Sequence, residues 1–412
     1  MTAQGKHDGA GGPAEERWAQ AIAAQRPGYA LSQEFYCDAE LFEREKQRLL
    51  LRHWHCVGHQ SQVCGPGDFF TAEIFGESVI IVRGTDRELR ALLNVCRHRG
   101  SRVCTEKAGR ARGGGFVCPY HAWNYALDGT LRAAARMPEG FDRADYGLKR
   151  LHCRVIEGLI LICFAEPPLG LEQVESMLAG SARVYGWADA KIAYQETYPV
   201  SANWKLAVEN YMECYHCGPA HAEYSRFHLY ARPAVLNREA DDQVRERTRA
   251  LGLQLREGNH WGLNARPGQE AAASMRSALG EGAVSGSEDG KALAPLMGQF
   301  RDYDGGVTFF DIGLTTNFLA YPDHGLIYRF IPKSVASTDM EVIWLVRGDA
   351  QAGKDYDTER LTWLWRVTSA ADKRIIELNQ QGIRSRYYVP GPYSEMEQDT
   401  RRFIEWVLAE LR

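Results

Sequence analysis

Residues 209–221 read ENYMECYHCGPAH. Glu213, His216 and His221 stand close together, Cys214 and Cys217 flank the first histidine, and Gly218-Pro219 separates the two imidazoles. A helix predicted over 203–217 puts Glu213 and His216, three apart, on one face. His216 and His221 are five apart and would diverge on a continuous helix. Gly218-Pro219 cannot continue one, so the chain turns there and lets both rings converge. Two imidazoles and a carboxylate make a facial iron triad with positions left open for oxygen. Cys214-x-x-Cys217 lacks the preceding strand of a thioredoxin-like pair and encloses a candidate ligand, which argues against a redox role. His228 and Glu223, just downstream, read as ordinary polar residues.

The third ligand must come from elsewhere. Asp372, in SAADKRIIELNQQG, lies in a long C-terminal helical pattern. By spacing alone an aspartate there reads as part of a solvated face, and Glu377 competes for the role.

Upstream, CRHRG (96–100) and CPYHAW (118–123) each supply one thiolate and one imidazole: Cys96 and His98, then Cys118 and His121. A structural zinc site groups its cysteines in one half and its histidines in the other. Mixing them in both halves suits a two-iron, two-sulfur cluster with two Cys on one iron and two His on the other, the Rieske arrangement. Cys104 reads as a buried free thiol. Arg97, Arg99 and Arg102 solvate the loop or form a landing patch for an acidic electron donor.

The surrounding chain has room for both sites. It has 412 residues, 45% hydrophobic and 25% charged, with a net charge of −4. That balance fits a globular protein of two or three domains and argues against a general nucleic-acid binder. No run of eighteen apolar residues reads as a membrane span. The N-terminus, MTAQGKHDGAGGPAEERW, carries no apolar signal core, so a cytoplasmic protein with reduced thiols is expected from its ten cysteines.

Residues 36–55 predict an amphipathic helix with Asp38 at its N-cap. Short β-rich runs follow: ESVIIVRG, ELRALLNVC, GFVCPYHAWNYAL and GLILICFAE, with turns at Thr85-Asp86 and Asp128-Gly129. Pro167-Pro168 marks the exit from this all-β region. Residues 265–298, rich in Gly, Ala and Ser, predict a lid or long loop. Strand patterns return in TNFLAYPD, GLIYRFIPK and MEVIWLVRG. A helix is predicted over 357–381 with Gly382 as its stop, and a capping box at Ser394–Glu397 opens the last helix. No nucleotide-binding glycine pattern appears. The expected division is a tail over 1–27, a helical segment over 28–55 that packs on the catalytic part, a cluster domain over 56–166 and a catalytic domain over 167–412.

RHRGSRVC, CPYHAWNY, NWKLAVENYMECYHCGPAH and NQQGIRSRYYVPGPYS together resemble the oxygenase component of Rieske non-haem iron oxygenases, from about residue 28 to the C-terminus. The spacing from His98 to Cys118 is stretched at GRARGGG, which reads as a loop insertion. The resemblance implies an α+β fold: a small all-β Rieske domain and a larger catalytic domain whose antiparallel sheet wraps around helices, a START-like helix grip. It implies a 2Fe–2S cluster on Cys96, His98, Cys118 and His121, and a mononuclear Fe(II) on His216, His221 and Asp372. It also implies that Glu213, with Asn210 among the catalytic residues, bridges His216 to His121 of a neighbouring copy in a homotrimer.

Glu at position 213, where ring-hydroxylating members place Asp, resembles the branch acting on quaternary ammonium compounds. DYDGGVT, YPDHGLIYRFIPK and EVIWLVRGDA are similar to the glycine betaine and stachydrine demethylases. The implied reaction uses O2 and electrons from a separate NAD(P)H-dependent reductase to hydroxylate an N-methyl group, releasing formaldehyde. The alternative is an aromatic-ring-hydroxylating dioxygenase alpha subunit. Phe309, Phe310, Phe318, Tyr321 and Trp261 are candidate faces for the cation. The donor that a betaine carboxylate requires is not legible in the sequence.

Overall fold

The structure is a computed structural model that describes residues 13–233, 236–256, 259–260 and 266–412. Near its start, Asp38 caps α1 (Ala39–Glu45), its carboxylate accepting the N–H groups of Glu40 and Leu41. The helix predicted to reach residue 55 stops early. It widens into a π turn over Lys46–Leu50, and His55 opens a strand. The cause is tertiary: the buried His55 ring bonds to the Leu50 carbonyl at 2.5 Å and the Thr315 hydroxyl at 3.0 Å.

Strands between His55 and Cys163 form a seven-stranded antiparallel sheet, with a separate three-stranded sheet made of Gly115–Val117, Asn124–Ala126 and Leu131–Ala133. Alternating residues of these strands meet in a small core of Ile80, Val82, Leu92, Phe116, Trp123 and Leu131. Asp128-Gly129 closes the last hairpin, with Gly129 at φ +87°, a conformation glycine adopts without strain.

The second half is built on another seven-stranded antiparallel sheet. Its central strands are β1 (Gly306–Ile312), β2 (Thr316–Ala320) and β3 (Gly325–Ser334), flanked by Ser337–Arg347 and Ala190–Val200 on one side and Ala272–Ala278 on the other. One face carries Phe309, Leu319 and Tyr328 toward helices α2 (Trp204–Tyr211), α3 (Thr358–Ile383) and α4 (Gln398–Leu411). The opposite face carries Phe310, Phe318 and Ile327 onto Trp187. This sheet gripping helices, beside an all-β domain, is the α+β architecture expected.

Three local expectations need correction. The Gly/Ala/Ser-rich stretch is not a projecting lid. Ala272–Ala278 is a strand of the sheet, and Ala283, Ser285, Leu293 and Met297 are buried beyond it, because small side chains let backbones pack closely. Gly382 does not stop α3, which runs through it to Ile383 from an N-cap at Asp357. The helix predicted over 203–217 ends at Tyr211. Gly218 and Pro219 lie inside a separate short helix, Cys217–Ala220, where a proline in the first turn loses no hydrogen bond. The capping box at Ser394 forms as expected and leads through one 3-10 turn into α4.

Candidate metal centres and catalytic cavity

The two cluster loops share one backbone design. The Cys96 N–H donates to the Ser101 carbonyl and the Gly100 N–H to the Cys96 carbonyl. In the second loop, the Cys118 N–H donates to the Trp123 carbonyl and the Ala122 N–H to the Cys118 carbonyl, with all four bonds at 2.8–3.0 Å. The fourth residue after each cysteine is left-handed: Gly100 at φ +78° and Ala122 at +56°. The result is a pair of matched loops with buried sulfurs and half-buried to exposed imidazoles. His98 and His121 point their Nδ1 atoms at one another, 3.2 Å apart. His98 stacks on Trp123 at 5.0 Å, and Tyr120 packs on His121 at 3.8 Å. Two ring nitrogens and two buried thiols converging from opposite loops fit a mixed-ligand 2Fe–2S cluster. Tyr125, which the sequence reading passed over, puts its hydroxyl 3.3 Å from Cys96 Sγ while accepting the Arg97 N–H at 3.1 Å. Hydrogen bonds to cluster sulfurs raise the reduction potential. Cys104 is buried with its thiol free.

The second centre forms where α2 has ended. Glu213–His216 is a turn rather than one helix face, yet Glu213 Oε1 still reaches His216 Nδ1 at 2.6 Å. The other Glu213 oxygen accepts the backbone N–H groups of Tyr215 and His216. This fixes the ring so that Nε2 faces Asp372 Oδ1 at 3.4 Å, while His221 Nε2 lies 2.8 Å from the same oxygen. Among the described residues, His216, His221 and Asp372 are the group whose ligand atoms all lie within 4.8 Å of one another. Two imidazoles and one carboxylate with an open side fit a mononuclear ferrous ion.

Burial pushes the Asp372 carboxyl up, but hydrogen bonds with His216 and His221 hold it below the usual carboxylate range. Burial lowers His216, and Asp372 and Glu213 outweigh it, raising it to about 9. A bound cation would replace that proton. Asn210 Nδ2 lies 3.4 Å from His216 Nε2. Glu377, the competing carboxylate, is engaged instead with Lys373 and the Ser201 N–H.

The triad opens onto a cavity walled by Tyr211, Tyr224, Tyr230, Phe309, Leu319 and Trp365. Of the aromatic candidates, Phe309 is in the wall. Phe310 and Phe318 stack on one another at 4.7 Å across the sheet, facing away. Tyr321 sits behind the wall, its hydroxyl 2.7 Å from His228 Nε2. Trp261 lies outside the described residues. His228 is no ordinary polar residue: it is fully buried, stacked on Tyr224 at 4.0 Å, and lowered by burial to about 4. The missed wall residues had a signal. Tyr211 and Tyr224 flank the histidine motif, and Trp365 precedes Asp372 by two helical turns. The sulfurs of Cys214 and Cys217 are bonded to one another, which corrects the reading of an unpaired set of thiols here. Both line the cavity.

No helix among the described residues is long and apolar enough to cross a membrane. The ring hydroxylating alpha subunit (catalytic domain) family matches residues 187–412, and the Rieske [2Fe-2S] domain family matches residues 53–152. The glycine betaine monooxygenase oxygenase subunit of Pseudomonas aeruginosa is 34% identical over 403 residues, covering 96% of this chain and 92% of that protein. The carnitine monooxygenase oxygenase subunit of Escherichia coli K12 is 38% identical over 208 residues, covering 49% of this chain and 55% of that protein. A crystallised quaternary ammonium Rieske monooxygenase superposes with a TM-score of 0.71 at 25% identity, covering 95% of this chain and 98% of that one. Naphthalene 1,2-dioxygenase shares the fold, with a TM-score of 0.66 at 19% identity over 95% of this chain and 94% of that one. With two matched Cys/His loops, a converging His/His/Asp group and a family match across its catalytic half, this chain belongs to the ring-hydroxylating alpha-subunit family of Rieske non-haem iron oxygenases and is an oxidoreductase with a 2Fe–2S cluster and a mononuclear iron.

Proposed function

We propose that the enzyme hydroxylates an N-methyl group of a betaine-type quaternary ammonium compound, using O2 and electrons from a separate NAD(P)H-dependent reductase. The carrying observation is the cavity wall. Tyr211, Tyr224, Tyr230, Phe309 and Trp365 surround the space in front of the triad. A quaternary ammonium has no N–H to donate, so aromatic faces are its natural partners, each worth roughly 0.5–2 kcal/mol. The near full-length likeness to a glycine betaine monooxygenase subunit supports the same reading.

In this assignment Cys96, His98, Cys118 and His121 hold the cluster, and His216, His221 and Asp372 hold the iron. When bound, these groups supply single electrons and dioxygen activation. The chain's own residues do the rest. Glu213 locks the His216 ring through Nδ1, which keeps Nε2 aimed at the ligand position. The aromatic wall excludes water and seats the substrate with one methyl toward the triad. Overall, a trimethylammonium compound, O2, two electrons and two protons give the N-hydroxymethyl cation and water. That cation then loses formaldehyde and a proton to leave the tertiary amine.

Glu213 also serves as the bridge between copies. Behind His216 a second hollow is walled by Glu209, Glu213, Asn379 and Tyr393. At the cluster end, His121 and the half-exposed Val117 and Tyr120 form a tip without cover in the single chain. Seating one copy's tip in the next copy's hollow closes a ring, most simply a homotrimer. A cytoplasmic location agrees with a reductase that draws on NAD(P)H.

The test combines H221A with product analysis. H221A should abolish formaldehyde release from betaines and lose iron, while the cluster's visible absorption stays intact. Oxygenation that survives in H221A, or a cis-diol from an aromatic ring in wild type with no formaldehyde from any amine, overturns the reading.

A further inference from the structure

The row of the sheet next to the cavity wall holds two polar side chains that the fold itself does not satisfy. Asp311 on β1 and Asn317 on β2 are directly opposite one another. Residues two apart on a strand share a face, so both lie on the face of Phe309 and Leu319, which wall the cavity. Asp311 is 0% exposed and Asn317 is 1% exposed. Neither Asp311 oxygen nor Asn317 Nδ2 has a hydrogen-bond partner among the described residues. Leaving such groups unpaired costs about 1–3 kcal/mol each, and native folds rarely do so without a ligand or function. The third member of the row, Tyr328, is already paired with Ser369 at 2.8 Å.

The surroundings define what this pair can bind. Burial, reinforced by the charge of Asp399, pushes the Asp311 carboxyl well above the usual range, which favours its protonated, O–H-donating form. Burial first, then Asp311, likewise raises the phenol of Tyr211, a cavity-wall residue; Asp311 and Asn317 stand one row along the sheet from that lining rather than in it. Among the described residues no lysine or arginine lines that cavity. A trimethylammonium acid that presents a methyl to the triad carries its carboxylate on the other side of the nitrogen. That carboxylate needs donors, and here they must be neutral ones.

Resting on the quaternary-ammonium reading, we infer that Asp311 and Asn317 form a donor subsite that holds the substrate carboxylate and so decides which end of the molecule faces His216, His221 and Asp372. The pair makes the site specific for ammonium acids over ammonium alcohols.

Equilibrium binding to the purified holoenzyme tests this, using glycine betaine, choline and 3,3-dimethylbutanoate, the carbon isostere of betaine. Wild type should bind betaine at least about tenfold tighter than choline, a difference of about 1.4 kcal/mol. D311L and N317L should each erase most of that margin by weakening betaine about tenfold, with choline changed less than about twofold. D311N, which keeps a donor and the shape, should stay within about threefold of wild type for betaine. Intact cluster absorption together with full mononuclear iron content certifies that both domains of each variant are folded. Three results overturn the inference: betaine bound no tighter than choline, leucine variants without effect, or D311N as damaging as D311L with choline weakened too, which would make Asp311 a counter-charge for the cation. Dimethylbutanoate bound as tightly as betaine would instead sink the quaternary-ammonium reading and leave the carboxylate subsite standing.

Discussion

At the scale of single residues, the ordinary chemistry of a side chain is overridden by where it is buried. Glu209 lies one residue from Asn210 at the end of α2 and is almost fully covered, accepting the Tyr36 hydroxyl at 2.9 Å. Burial pushes it up to about 8, against the hydrogen bond from Tyr36 and the charge of Lys205. Its folded pKa is therefore above the unfolded value of about 4.3. A raised acid stabilises the fold fully below the unfolded pKa, and that contribution is lost as pH rises through about 8. Thermal denaturation should show wild type losing stability progressively as pH rises from about 4.3 to about 8. E209Q should lose less and become the more stable protein above about pH 8. Parallel curves for the two proteins would show that Glu209 titrates normally.

The same scale explains what the sequence could and could not say about the sites. The cluster ligands are legible because each loop carries its own cysteine and histidine within four residues, so chelation is a local property. Phe309 and Phe310 are adjacent and chemically alike, yet one walls the cavity and the other packs on Trp187. Strand parity makes that choice, and a shift of one residue reverses it. Asp372 needed the family resemblance, since an aspartate on a helix has no local mark of ligation.

At the scale of elements, α1 and α2 are tied by an ion pair that hydropathy does not anticipate. Lys205 Nζ and Glu45 Oε1 are 2.6 Å apart, both side chains 0% exposed, and the Trp204 indole N–H donates to the other Glu45 oxygen at 2.9 Å. α2 ends just before the Glu213–His216 turn, so this pair anchors the frame of the iron site. Removing one partner of a buried pair strands the other charge. K205M should therefore destabilise the fold by about 3–5 kcal/mol, and adding E45M should recover much of that loss. Denaturant unfolding of the two variants, with iron content measured alongside, checks both. Equal losses in the single and double variants would mean packing rather than charge is at stake. The helix boundaries moved for related reasons. Contacts of His55 with Leu50 and Thr315 end the α1 segment early, and buried surface carries α3 past Gly382.

For the whole molecule, the proposed seating of one copy's cluster tip in the next copy's hollow behind His216 leads to a direct prediction. If electrons cross between copies through Glu213, two inactive parents should rescue one another. Coexpressing a cluster-deficient C118S chain with an iron-deficient H221A chain should give mixed rings with activity that neither parent has, measured as formaldehyde release. E213A, which removes the bridge, should leave cluster reduction by the reductase unchanged and lower turnover by on the order of a hundredfold. Absence of rescue in verified mixed rings would place electron transfer within a single copy.

The sequence by itself determined the cofactor chemistry and the two-part architecture. The Cys/His pairs and the two close histidines declare themselves through short spacings, Asp372 only through the family resemblance, and sheets and helices through their periodicity. Only the tertiary structure decided which aromatic residues face the substrate, that Cys214 and Cys217 bond, and that Asp311 and Asn317 share a buried row. The first and last depend on strand register and on which segments the fold brings together, and the bond on how the turn after Tyr211 closes, none of which a short sequence pattern carries.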